Sequence, residues 1–297
     1  YYQSESKIAG VSLFFLKSNE TTGTPFIPLQ NGYDVFFAQV PSSWGQTWTV
    51  KQWQKFRAWL TEHDNQPVST ALPIVVRKVW PSGSSWKKFF FSYMVENDLY
   101  FVMPYVAYAT NMGEPGTHFT SQVMLFQTNL MLYPKQLRLL HFDKRKIVYD
   151  AYFELLPDSF HAKGVLTKYE LTIDLSGKKE LDKLHTPYLL SIKPCRRSIA
   201  TYSMCFSPIE VNVLESSVGG MINFGKTEDF LPERDENAYR QLMRVANEMV
   251  YHVSNTIGYR DGETYGINMQ KKKKNYRLGN FILYPFRLLR RVVQKVF

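Results

Sequence analysis

The spacing of apolar residues in this chain changes at about residue 145, and that change limits the folds open to it. Ahead of it, the strand-like runs "KIAGVSLFF" (7–15) and "DVFFAQV" (34–40) are followed by stretches with helical periodicity. Beyond it, apolar residues come in short runs with turns between them: "YELTIDLSG" (169–177), "PYLLSIK" (187–193), "ATYSMCFSP" (200–208) and "IEVNVLES" (209–216), each read as a strand. The first pattern predicts an α/β region over 1–145, and the second a smaller, β-rich α+β accessory region over 146–262. A basic segment over 263–297 completes the chain.

Ahead of the basic segment, helices are signalled at three places. "TVKQWQKFRAWL" (49–60) opens with Thr49 and Gln52 in a capping-box pattern and puts Trp53, Phe56, Trp59 and Leu60 on one face. Residues 61–85, with Pro67, Pro73 and Pro81, read mostly as loop. A second helix is expected from Ser85, with Trp86, Phe89, Phe90, Tyr93 and Met94 apolar together. "DLYFVMPYVAYATN" (98–111) reads as a strand. "ENAYRQLMRVANEMVYHV" (236–253) reads as a helix aligned on Tyr239, Leu242, Met243, Ala246, Met249 and Val250.

Composition removes several classes. Hydrophobic residues make up 44% and aromatics 15%, which supplies a core and argues against a disordered chain. Cys195 and Cys205 are too few for a disulfide scaffold and read as reduced, buried thiols. Six scattered histidines give no paired-ligand spacing for structural zinc. No apolar run reaches the 18 residues of a membrane span. The first residues carry no basic stretch ahead of their apolar run, so they are not a signal peptide, and a chain beginning on Tyr1 reads as starting inside a larger protein.

Chemistry concentrates between residues 34 and 119. A pyranose has apolar C–H faces and a polar rim, so its site needs flat aromatic walls with hydrogen-bonding groups at the edge. "SSWGQTW" (42–48) offers Trp44 and Trp48 with Gln46 between them, and Gly45 would let backbone approach a ligand. The alternative is that these indoles fill the core between helix and sheet, as Trp53 and Trp59 are expected to do. "VWPSGSSWKKFF" (79–90) and "TNMGEPGTHF" (110–119) complete the set.

In that order and spacing, residues 5–120 resemble the second half of a GT-A glycosyltransferase catalytic domain. They are similar to bacterial polysaccharide-type transferases and, more distantly, to the Golgi N-acetylglucosaminyltransferase I family. The resemblance implies a nucleotide-sugar donor, a glycan or lipid-linked acceptor, and substrate binding by Trp44, Gly45, Gln46, Trp48, Trp86, Lys87, Lys88, Gly116 and Thr117. It implies a divalent metal, Mn²⁺ or Mg²⁺, with His118 as a ligand. It also implies an upstream Asp-x-Asp motif, which the first 150 residues lack. The Golgi relatives carry a pair of acids where this chain has Lys87 and Lys88. A charged lysine cannot take the acceptor's proton without a large fall in pKa. The lysines either bind the diphosphate at a helix N-terminus or form the solvated face of the helix, or else the base has moved, with Glu114 the nearest acid.

The last 27 residues hold nine cations and no acid, leaving 27 cations against 26 acids elsewhere. After Pro285, Leu288, Leu289, Val292, Val293 and Val296 share a face opposite Arg287, Arg290, Arg291 and Lys295. Such a helix suits an anionic membrane surface over 271–297, and hence an enzyme peripheral to the cytoplasmic face of a plasma membrane. Packing of that face on the protein body is the alternative. Nucleic acid is not expected, since the lysine run lacks interleaved aromatics. The accessory region is expected to serve acceptor recognition or a homodimer. The competing function is a non-catalytic glycan- or partner-binding module.

Overall fold

Val35, Phe36, Phe37 and Ala38 are buried without interruption, the mark of a central strand covered on both faces. In the computed structural model, which describes residues 1–63, 66–78, 85–115, 126–133 and 135–245, they form β2 (Val35–Ala38) of a five-stranded mixed sheet. Its other strands are β1 (Ile8–Ser12), β3 (Gln46–Thr47), β4 (Tyr100–Pro104) and β5 (Val148–Tyr149), in the order β3-β1-β4-β2-β5. β1 runs parallel to β4 and antiparallel to β3. β2 runs antiparallel to β4 and parallel to β5. β5 thus lies past the expected boundary at 145 and completes the first sheet.

Helices α1 (Val50–Glu62), α2 (Ile74–Lys78) and α3 (Trp86–Glu96) fill the connection between β3 and β4. The capping box at α1 is formed: Gln52 N donates to Thr49 Oγ1 and Thr49 N to Gln52 Oε1. Gln52 Nε2 also donates to the Ile8 carbonyl at 2.8 Å, tying the start of α1 to β1. α1 meets α3 through Phe56 and Phe90, edge to face with centroids 4.7 Å apart. α3 begins after Ser85 as expected, whereas α2 interrupts the loop expected over 61–85.

The second sheet has the order β6-β7-β9-β8, from β6 (Leu171–Asp174), β7 (Tyr188–Ser191), β8 (Ser198–Tyr202) and β9 (Ile222–Lys226). The segment 209–216, expected as a strand, is instead the helical turn α5 (Glu210–Leu214), which follows the short helix α4 (Pro157–His161) in chain order. The cause is Asn212, which is fully buried. Its Oδ1 accepts from the amides of Cys205 and Phe206, and its Nδ2 donates to the carbonyls of Phe206 and Ile209. Those bonds hold a turn where the alternation of Ile209, Val211 and Val213 suggests extension. Residues 236–245 are helical, with Ala238 and Leu242 buried; Ala246, Met249 and Val250 lie outside the described residues. The two cysteines are free but not buried: Cys195 is half-buried and Cys205 exposed, in correction of the sequence reading.

One hydrophobic cluster runs from Phe36, Phe90 and Phe101 in the first sheet and its helices to Leu190, Ile222 and Phe224 in the second. A smaller cluster around Phe37, Val102 and Phe142 covers the other face of the first sheet. Among the described residues no helix is long and apolar enough to cross a membrane. The molecule is a mixed α/β protein with two mixed sheets.

Candidate functional site

The Trp44 turn is held against the strand that follows it in space. Leu13 N donates to the Gly45 carbonyl at 2.7 Å, and Tyr108 N and Ala109 N both donate to the Leu13 carbonyl. Gly45 has φ +62°, and a Cβ there would come within 2.7 Å of Ala109 Cβ and 3.0 Å of Leu13 Cβ. The close approach that requires a glycine is therefore to protein, not to a ligand. Trp44 is half-buried, its ring 4.9 Å from Phe14 and 4.9 Å from Phe126. Met131 N bonds to the Ala107 carbonyl and Thr128 N to Thr110 Oγ1, so the chain flanking 116–125 lies beside this turn. Gly116, Thr117 and His118 fall outside the described residues. Glu114 is exposed.

Trp48 goes elsewhere, and the two indoles do not share one wall. Trp48 stacks on Trp53 at 5.0 Å, meets the edge of Trp86 at 5.7 Å and lies 5.4 Å from Phe90. A Cβ on Gly10 would strike its ring at 2.7 Å, so Gly10 is what lets the indole lie flat on β1. Trp48 thus fills the space between sheet and helices, while Trp53 and Trp86 close that space at the surface, Trp86 being 37% exposed. Two polar atoms here, Gln46 Oε1 and Trp48 Nε1, are buried without a hydrogen-bond partner. Gln46 sits on β3 opposite Ser12.

The lysine pair is engaged within the protein. Lys87 Nζ lies 3.0 and 3.2 Å from the two carboxylate oxygens of Glu20, with both side chains largely covered. Lys88 is buried and donates to the Arg77 carbonyl at 2.9 Å, at the C-terminal end of α2, where a cation meets the negative end of the helix. Burial lowers its pKa. The reading of these lysines as a solvated helix face is corrected, because α3 packs this turn under α2 and the 18–33 loop. Glu20 is the residue that the sequence did not reveal: it lies 67 positions from its partner, inside a Gly/Pro/Asn-rich loop with no motif. Lys17, which leads into that loop, donates to the Gln127 carbonyl at 2.6 Å. One stretch of chain thus touches both the start of α3 and the segment beside Trp44.

A second polar assembly joins the two sheets. Glu154, just past β5, accepts from the amides of Leu175 and Ser176 and from Ser176 Oγ at the end of β6. Burial, then the nearby Asp174, pushes its carboxyl up. Lys179 donates to Asp150 at 2.5 Å, and Lys193 to the Gly177 carbonyl at 2.9 Å. Glu154 also lines a cavity of about 80 Å³ with Thr22, Thr24, Ser176, Ser207 and Glu210. Glu210 leaves Oε2 without a partner, and burial pushes its carboxyl up to about 7.

Among the described residues no group of three or more His, Cys, Asp or Glu side chains is placed to hold a metal ion. The fold and this site define a mixed α/β protein in which the Trp44 turn lies beside the chain flanking 116–125, and Glu20 is held by the half-buried Lys87 at the start of α3. Comparison with family models, curated proteins and solved structures finds no match to the chain.

Proposed function

We propose that this chain is the C-terminal part of a GT-A-type glycosyltransferase that moves a sugar from a nucleotide-sugar donor to a hydroxyl of a lipid-linked surface glycan at a membrane face. The observation that supports this reading is the convergence of the Trp44 turn, the chain flanking 116–125 and the Glu20 loop, tied by Leu13 to Gly45 and Ala109 and by Lys17 to Gln127. In this reading Trp44 offers an indole face to a sugar ring. Glu20, held by Lys87, takes the proton of the acceptor hydroxyl as its oxygen attacks the anomeric carbon, and the nucleotide diphosphate leaves with the bonding electron pair. Glu20 replaces Glu114 as the proposed base, since a part-buried, anchored carboxylate is better positioned than an exposed one. The divalent ion such a donor calls for has no ligand set among the described residues, and no step is routed through it.

The competing reading, a non-catalytic glycan- or partner-binding module, draws on one observation. Lys87 is paired with Glu20 and Lys88 is buried, so the pair is committed to the protein's own groups. Transfer assays on the protein carrying this chain separate the two. Glu20→Gln is expected to lower kcat by about 10²-fold or more with little change in KM, and Lys87→Met by far less. Equal losses in the two variants would mean that the ion pair only holds the loop. If no nucleotide diphosphate binds in the presence of Mn²⁺, the enzyme reading fails.

A further inference from the structure

The segment that leads into β5 combines clustered cations with exposed apolar side chains. Residues 130–146 hold five cations, Lys135, Arg138, Lys144, Arg145 and Lys146, against a single acid, Asp143. Leu132 and Tyr133 stand out into solvent at 76% and 81% exposure, and Leu137 is exposed beside them. The segment is not loose: Met131 N is bonded to Ala107, and the Asp34 amide donates to the Arg138 carbonyl while the Asp34 carboxylate accepts from the Arg138 amide. Three neighbouring acids are matched, Asp34 by Lys135, Asp158 by Arg145 and Glu5 by His141. That leaves Arg138, Lys144 and Lys146, all exposed and outside any ion pair among the described residues, with Arg138 and Lys146 lying on the ring of Tyr33 at 5.7 and 5.8 Å. A soluble surface does not gain by holding two large apolar side chains nearly fully in water. Apolar prongs set among unpaired cations fit an interface that is apolar just below a layer of negative charge.

We propose that residues 130–133 and 135–146 form a docking surface for an anionic lipid bilayer, with Leu132 and Tyr133 entering the headgroup region and Arg138, Lys144 and Lys146 lying on lipid phosphates. This surface is separate from the basic segment at 271–297 and does not depend on the chemistry proposed above.

Flotation of the full chain with vesicles of phosphatidylcholine, alone or with about a third phosphatidylglycerol, tests it. The parent is expected to float only with the anionic vesicles. Lys144→Gln with Lys146→Gln is expected to weaken that partition about 30-fold, from the usual gain per cation at such a surface. Leu132→Ser with Tyr133→Ser is expected to weaken it at least about tenfold at any salt concentration. All four positions are exposed, so both variants should keep the parent's thermal midpoint. The proposal is overturned if both variants float like the parent while Arg290→Gln with Arg291→Gln abolishes flotation. It is equally overturned if the parent ignores anionic vesicles, whether or not it is retained on single-stranded RNA.

Discussion

Gly45 shows how much a single position decides here. Its φ of +62° already disfavours any side chain, and Ala109 Cβ and Leu13 Cβ occupy the place a Cβ would take. Gly45→Ala is expected to destabilise the protein by about 2–4 kcal/mol in urea unfolding, and to loosen the seam between Leu13 and Ala109 before the rest of the sheet. Hydrogen exchange at the amides of Leu13, Tyr108 and Ala109 reads that loosening; unchanged protection there would show that the seam does not depend on the glycine. The glycine itself was legible in "SSWGQTW" as a place of close approach, but not what approaches it. The same limit applies to Lys87 and Lys88. Their sequence shows two cations at the start of a helix and nothing of Glu20 or of the Arg77 carbonyl, since both partners come from distant chain.

At the scale of elements, local signals are legible where they act within a few residues. The capping box at Thr49 and Gln52 fixes the start of α1 as its sequence implies. α5 was not legible, because the alternating Ile209, Val211 and Val213 look extended until the Asn212 side chain is seen to bind four backbone groups. α5 also carries Glu210, whose burial makes the fold sensitive to pH. Folded, this carboxyl stays protonated up to about pH 7; unfolded, it ionises near 4.5. Between those values the folded state holds the extra proton, so this contribution to stability is complete below pH 4.5 and is lost as the pH rises towards 7. Glu210→Gln is expected to flatten the fall in unfolding free energy between pH 5 and pH 8, leaving the variant about 3 kcal/mol less penalised at the upper end. Parallel pH profiles for parent and variant would mean that the carboxyl ionises freely.

For the whole molecule, the continuous core from Phe36 and Phe90 to Leu190 and Phe224 predicts a single unfolding transition. Trp44, Trp48, Trp53, Trp59 and Trp86 all pack with the first sheet and its helices, so their fluorescence reports on that part; the sixth tryptophan, Trp80, falls outside the described residues. Leu190→Ala, at a fully buried position on β7, is expected to cost about 2–5 kcal/mol and to shift the fluorescence transition and the far-ultraviolet transition together. A tryptophan signal that stays in place while the circular dichroism moves would show two independent units. The switch in sequence pattern near 145 is real as a change of texture, from helix-rich to strand-rich. It does not mark where the packing divides, because Val148 and Tyr149 read as the start of the second region and belong to the first sheet. The amides of Phe37 and Gln39 bond to the carbonyls of Ile147 and Tyr149. A fragment ending at 145 would lose those acceptors and bare the flank of its most apolar strand, an open invitation for one copy to zip onto the next.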